Sequence, residues 1–325
     1  MFRRTFTLGS AALCASLYAG LAAAQDMRAP TGPIEFTVGS GAGGSPDVIM
    51  RTFAQILSEQ GLVENPIVVQ NRSGAGHSNA YNHVLGLSGD ENTLLTLASP
   101  VFTTPIVQGT PSVIDQITPI ALLAESELIV LTTPDSAFNS LQDVVAAATE
   151  APGRVRVAGG SSGGNDHILT GLLETATGTT ITYIPHESGS AGRATFLGGN
   201  VELHFATLSE ALELVQSGSG KPLAIFSAER RPEEVFANVA TAQEQGVDVV
   251  YTQFWGVGGP ANLDPAVAAW WAEKFKAATE TAQFQTWLGE NLYRANPLTL
   301  ADAGAYFAEG QQTFRDVLTQ IGLAK

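Results

Sequence analysis

Gly39-Ser40-Gly41-Ala42-Gly43-Gly44-Ser45-Pro46-Asp47 follows an alternating apolar run, Ile34 to Val38, and precedes a helical pattern with Val48, Ile49, Phe53, Ile56 and Leu57 on one face. A second stretch repeats the design. Gly159-Gly160-Ser161-Ser162-Gly163-Gly164-Asn165-Asp166-His167 follows Val155 to Ala158 and leads into a helix whose core face is Ile168, Leu169, Leu172 and Leu173. Strand, glycine loop and helix N-terminus together make an anion site, because unpaired backbone N–H groups and the positive end of the helix dipole converge there. Two tight turns using glycine only for its freedom at positive φ would look the same one at a time. The matched pair is what suggests a pincer, one loop per half, closing on a small acid.

Outward from these loops the chain alternates strand and helix. In the first unit Ser45 reads as the N-cap, Pro46 as the first helical residue and Asp47 as a first-turn acid. Pro66 to Gln70 and Thr93 to Ala98 read as strands, with a third glycine-rich loop, Asn71 to Gly76, between them. Leu128 to Thr132 reads as a strand crossing between halves, and Leu141 to Thr149 as a helix. Further units run Ile181 to Ile184 with Ala191 to Leu197, and Val201 to Phe205 with Ser209 to Gln216, followed by Leu223 to Phe226. Tyr251 to Gly256 reads as a return strand, and helices over about 264–278 and 300–320 close the chain. The alternation predicts an α/β protein with mainly parallel sheets and sites at the carboxyl ends of the strands.

The first residues, Met1-Phe2-Arg3-Arg4, then Leu8 to Leu21, then Ala22-Ala23-Ala24, read as a signal peptide, 1–24, cleaved near Ala24-Gln25. Cleavage there leaves 301 of the 325 residues, enough for two ordinary domains. The only cysteine, Cys14, lies in that leader, so the mature chain has no disulfide and no thiol chemistry. Export without disulfides predicts a periplasmic location. With Arg3 and Arg4 removed, 14 basic residues stand against 31 acidic ones, a net charge of −17 that argues against nucleic-acid binding. No later apolar run reaches the roughly 20 residues of a membrane span.

Each loop also imitates an enzyme motif. Gly39-x-Gly41-x-x-Gly44 matches a dinucleotide fingerprint, but the next strand ends in Gln70-Asn71 where an acid would hold the ribose. Gly159-x-Ser161-x-Gly163 matches a nucleophile elbow, which keeps an exported α/β serine hydrolase using Ser161 as an alternative reading. That fold needs a late histidine, and the five histidines are 77, 83, 167, 186 and 204. They show no metal spacing. His204, between Leu203 and Phe205, reads as a strand residue facing a polar side; His167 and His186 follow turns and are better site candidates. The expectation is a binding protein that is not an enzyme and uses no cofactor or metal.

Several motifs in order carry a resemblance: Gly43-Gly44-Ser45-Pro46-Asp47; Val69-Gln70-Asn71-Arg72-Ser73-Gly74-Ala75-Gly76; Ala158 through His167; Tyr183-Ile184-Pro185-His186; Gly198-Gly199-Asn200-Val201-Glu202; Glu229-Arg230-Arg231-Pro232; and Phe254-Trp255-Gly256-Val257 with Gly259-Pro260. Over essentially the whole mature chain the sequence resembles the extracytoplasmic receptors of tripartite tricarboxylate transporters, the Bug-type solute-binding proteins. The resemblance implies a type II periplasmic binding protein fold with a ligand cleft between two α/β lobes, 25–125 plus 240–325 and 126–239. It implies a monomer that takes a small organic acid, citrate-like in this branch, to integral-membrane transporter subunits; a ligand sensor not coupled to transport is the other binding reading. In such receptors backbone groups and ordered waters hold the carboxylate. The matching positions here are Ser40, Gly41, Gly43, Gly44, Ser45 and Asp47 in the first loop, and Ser161, Ser162, Gly163, Asn165, Asp166 and His167 in the second. Asn71, Ser99, His186, Thr207, Ser209 and Trp255 match positions around the cleft. The chain departs from the pattern at Ser40 and Ala42, where relatives more often carry proline or a bulky residue, and at His186-Glu187-Ser188, where many have Tyr-Lys-Gly. Asp47 and Asp166 are expected to bias helix starts rather than touch an acid, and Arg72 and Arg193 are the cations available to a further carboxylate.

Overall fold

The computed structural model describes residues 27–325 apart from 161, 187 and 188; the expected leader and Ser161 lie outside the described residues. The first stretch runs β1 (Ile34–Val38), α1 (Ser45–Glu59), β2 (Ile67–Asn71), α2 (Ser78–Leu85), β3 (Thr93–Leu97) and α3 (Pro100–Gln108). A 15-residue strand, β4 (Thr118–Thr132), then carries the chain onward. Beyond it come α4 (Leu141–Glu150), β5 (Arg156–Gly159), α5 (Asn165–Thr177), β6 (Thr182–Pro185), α6 (Gly189–Leu197), β7 (Leu203–Thr207), α7 (Leu208–Gln216) and β8 (Lys221–Ile225). The return is β9 (Thr252–Gly259), followed by α8 (Pro265–Thr279), α9 (Ala282–Asn291), β10 (Arg294–Ala295) and α10 (Leu300–Gln320).

The strands follow the order β2-β1-β3-β9-β4-β7-β5-β6, with β8 and β10 also on β4. The expectation of mainly parallel sheets needs correction. β1 pairs in parallel with β2 and β3, and β5 with β6 and β7, as strand–helix–strand units require. All pairings of β4 and β9 are antiparallel. The reason is topological: β4 takes the chain out of the first sheet and β9 brings it back, side by side in opposite directions. β4 begins at Thr118, ten residues before the strand legible in the sequence, because Ile120 to Leu131 is buried on both faces and shows no alternation, and Glu125-Ser126-Glu127 interrupts its apolar run. α2, α3 and α9 were not expected; α3 carries Pro105 in its interior, a residue that argues against a helix.

The core around β1 and α8 is aromatic: Phe36, Phe53, Trp271, Phe275 and Phe284 are fully buried, and the rings of Phe53 and Phe284 lie 4.6 Å apart. A second core cluster runs without interruption from α2 and α3 under β3 to α4, α5 and α10, so the two sheets are packed together along one side.

β4 changes partner in its middle. Thr118 to Glu127 pairs with β9, whereas Leu128 to Thr132 pairs with β7. Glu125-Ser126-Glu127 sits at that changeover, and all three are buried. Glu127 takes an ion pair from Arg231 (3.3 Å), which follows β8, and another from Arg294 (2.6 Å) in β10. Glu125 accepts from the Tyr306 hydroxyl (2.7 Å) and Asn296 (2.9 Å). The carboxylates therefore tie both sheets to one strand. Residues 241–247 stay with the second sheet, through Gln245 to Leu141 (2.7 Å) and Leu223 (2.8 Å), and the first sheet resumes at Thr252.

Candidate functional site

The two glycine loops are built alike. Gly43 and Gly163 both adopt positive φ, +81° and +79°, a region that disfavours every L side chain. Gly44 and Gly164 are the extended N-cap residues, at φ −72° and −75°, so the cap is Gly44 and not the expected Ser45. In each loop the residue four beyond the positive-φ glycine accepts its N–H: Gly43 donates to Asp47 Oδ2 (2.9 Å), and Gly163 to His167 Nδ1 (3.2 Å). The first helical residue of the second loop is bonded to a tyrosine: Asn165 Oδ1 accepts from the Tyr251 hydroxyl (2.7 Å). The glycine pattern thus sets the turn, and the residues after it lock the turn to the helix.

The acids and histidines of these loops are engaged in building them. Asp47 is 2% exposed; its other oxygen accepts from Asn71 (2.8 Å), and Arg51 lies 2.9 Å away. Desolvation pushes the Asp47 carboxyl up, but the bonds from Arg51, Gly43 and Asn71 outweigh it and hold the group below the usual carboxylate range. Asp166 has no such cation. Its carboxylate accepts from Gly160 N–H (2.9 Å), and desolvation raises it above the usual range, against that bond and His204 and with Glu210. His167 is stacked on Tyr183 at 4.3 Å, and desolvation lowers its ring, so the neutral form with an accepting Nδ1 is the one the loop needs. His186 is bound on both sides, to Ile184 O (3.0 Å) and Thr195 Oγ1 (2.7 Å), while its N–H returns to Gly159 and Gly160. His204 faces polar partners, but inside the protein: it is 2% exposed, stacked on Phe196 at 5.4 Å, with Glu210 3.1 Å from Nε2.

The raised carboxyl of Asp166 contributes stability below the unfolded aspartate value, about 3.9, and that contribution is lost as pH rises through the folded value. Asp166→Asn keeps an oxygen for Gly160 and removes the titration. Its melting temperature is expected to exceed that of the native chain at pH 7, with the gap closing toward pH 4; a lower value at both pH values would count against this environment.

A cavity of about 270 Å³ lies where the second loop faces the first half. One wall is Ser162, Gly163 and Gly164; the other is Gly76, His77, Pro100, Thr103, Thr104, Val107 and Gln108. None of these is a lysine, arginine, aspartate or glutamate, and burial lowers His77 toward its neutral form. Thr103 is 6% exposed, and among the described residues its hydroxyl has no hydrogen-bond partner. The first loop reaches this cavity through His77, whose ring covers Gly39 so closely that a Cβ there would stand 2.6 Å from it. The structure thus brings together Ser162, Gly163 and the amides of the second loop, with Ser99 directly before α3. Thr207 and Ser209 instead bond each other (3.2 Å) at the start of α7, where Thr207 is the N-cap. Trp255 is 2% exposed and stacked on Tyr293 at 4.6 Å, off the cavity wall. Arg72 is paired with Glu35, and Arg193 with Glu210 and Glu213. His77, Thr103 and Tyr251 were not among the expected site residues; the glycines at 74 and 76 were the only nearby signal.

Among the described residues no group of histidine, cysteine, aspartate or glutamate is arranged to hold a metal ion, and no helix is long and apolar enough to cross a membrane. The model of the TctC family, described as the tripartite tricarboxylate transporter family receptor, matches residues 49–315. Protein BugT of Bordetella pertussis is 31% identical over 246 residues, 73% of each chain. A TctC solute-binding protein from Polaromonas, solved without ligand, superposes with a TM-score of 0.77 at 22% identity, covering 90% of this chain and 99% of its own. An R. palustris protein solved with adipate gives 0.76 at 23% identity, covering 91% and 99%. These neighbours share the two-lobed periplasmic binding fold. A strand-crossed pair of α/β halves, two like-built glycine loops and a family match across most of the sequence agree: the chain belongs to the tripartite tricarboxylate transporter family of receptors, which are solute-binding proteins and not enzymes.

Proposed function

We propose that this receptor captures a small carboxylate between two lobes that divide within β4 and again just ahead of β9, about ten residues beyond the expected boundary at 240, and delivers it to a tripartite membrane transporter. Within this reading it acts as an exported, periplasmic monomer, and its ligands are di- or tricarboxylates, citrate among them. The observation that carries it is the cavity wall of glycine amides and hydroxyls at the N-terminus of α5, facing α3 with no acidic side chain between them. A helix N-terminus favours an anion, and the adipate found in a protein of the same fold is an acid of the proposed class. Hydrogen bonds to a charged group contribute about 1.5–3 kcal/mol each. Four or five of them reach the roughly 8 kcal/mol of a micromolar site without a basic side chain.

A thermal-shift screen of mono-, di- and tricarboxylates, aromatic acids and acidic amino acids tests the reading. Ligand at 100 times its Kd stabilises by about 2.7 kcal/mol, so a true ligand separates clearly from the rest. No shift with any carboxylate would sink the proposal. Gly163→Val supplies the site-specific control. A β-branched residue at φ +79° is strained, and its Cβ would meet Val107 at 3.2 Å, so affinity measured by calorimetry is expected to fall at least roughly tenfold, the effect of about 1.4 kcal/mol. Native affinity in this variant would remove the second loop from the site.

A further inference from the structure

Between β2 and α2 four consecutive residues stand at positive φ: Gly74 (+112°), Ala75 (+48°), Gly76 (+62°) and His77 (+73°). Glycine is at home there, but an alanine and a histidine are strained. The turn is held from outside. Asn79 Nδ2 donates to Ser73 O (2.8 Å), Thr104 Oγ1 to Gly76 O (2.6 Å) and Gln108 Nε2 to Ala75 O (3.2 Å). Thr104 and Gln108 belong to α3 and line the cavity themselves, so the cavity wall is what fixes the turn. Strained residues that their surroundings over-determine cluster where ligands are held.

The strained turn presents an imidazole to the cavity. Four of the five histidines are occupied: His83 lies 3.2 Å from Glu35, His167 accepts from Gly163, His186 is bonded to Thr195, and His204 to Glu210. His77 lines the cavity, and among the described residues its ring nitrogens have no hydrogen-bond partner. A Cβ on Gly39 would stand 2.6–2.7 Å from His77 Cβ, Cγ and Nδ1, so that edge of the ring lies on the first loop and Nε2 is on the edge turned from it. Burial lowers the ring toward its neutral form, which keeps one N–H to donate. On the same wall the Thr104 hydroxyl and the Gln108 carboxamide already donate to the turn.

We propose that His77 contacts the ligand and sets specificity from the first half: its Nε2–H donates to the carboxylate that the amides of the second loop hold from the other side. The role rests on the reading of this cavity as a carboxylate site, and it adds a side chain that neither glycine loop supplies.

Calorimetry with citrate and adipate as probes tests it. A hydrogen bond to a charged group is worth roughly 10- to 100-fold in affinity. His77→Gly, which suits the positive φ and removes the donor, is expected to bind the probe that much more weakly than the native chain. His77→Gln keeps a carboxamide donor at about the reach of Nε2 and is expected to bind more tightly than His77→Gly. Equal affinity in the two variants would assign the effect to the bulk of the ring and overturn the proposal. In nitrogen-15 spectra of the native protein, the His77 ring signals, assigned by their loss in His77→Gly, are expected to move on addition of the probe; unmoved signals with the probe bound also overturn it. Failure of the native chain to bind any acid of the carboxylate screen, citrate and adipate included, removes both this role and the reading beneath it. Native binding with unchanged affinity in His77→Gly removes this role alone.

Discussion

Glu127→Ala is expected to cost about 3 kcal/mol of folding stability, measured by urea denaturation. Glu127 is fully buried at the point where β4 leaves one sheet for the other, and it faces Arg231 and Arg294. Removing it strands Arg231, which is 7% exposed and cannot reach bulk water without opening the crossover. Glu233 still pairs with Arg231 at 2.6 Å, which keeps the expected loss at the low end of the range for a broken buried ion pair. Glu233→Ala alone leaves Glu127 in place and should cost less. If Glu127→Ala unfolds at the native urea midpoint, the carboxylate is not what braces the crossover.

Gly192→Val is expected to have an effect of similar size, on the order of 3 kcal/mol, at the upper end of ordinary overpacking. A Cβ at Gly192 would lie 2.8–2.9 Å from the backbone of Gly159, the last residue of β5 and the root of the second glycine loop. Backbone meets backbone there, so no side chain can rotate away. Gly159 is closed in on its other side as well: a Cβ on it would stand 2.6 Å from the Tyr183 hydroxyl. The substitution should therefore displace the loop together with α6 and abolish ligand-induced thermal stabilisation. Gly189→Ala, three residues earlier in open space, is the control and should be neutral or slightly stabilising. Equal stability of the two variants would mean that α6 does not set the loop's position.

The comparison of sequence with structure divides along the range of the interactions. The two glycine loops were legible because their geometry is local: strand period, positive-φ glycine and helix start all lie within about ten residues of each other. The same is true of the strand–helix units from β5 to β8, whose ends fall within two residues of the expected ones. β4 was half missed because a strand buried on both faces has no alternation to read. α3 was missed for a related reason: Pro105 and the β-branched residues around it argue against a helix, and only packing against α10 and the third loop makes it one. The opposite wall of the cavity was lost with it. Trp255 was expected near the cleft from its motif; the structure buries it against Tyr293, off the cavity wall.

What the sequence determined by itself is therefore the family, the α/β units and the shape of each glycine turn, all encoded by periodicity and by glycines at the positive φ of Gly43 and Gly163. Tertiary structure alone decided what those turns face. Arg231 meets Glu127 across 104 residues and Asn165 meets Tyr251 across 86; such partners depend on strand register and on the path of β4 and β9. A contact between distant residues leaves no mark on the residues beside it, so its chemistry becomes visible only when the chain has folded back on itself.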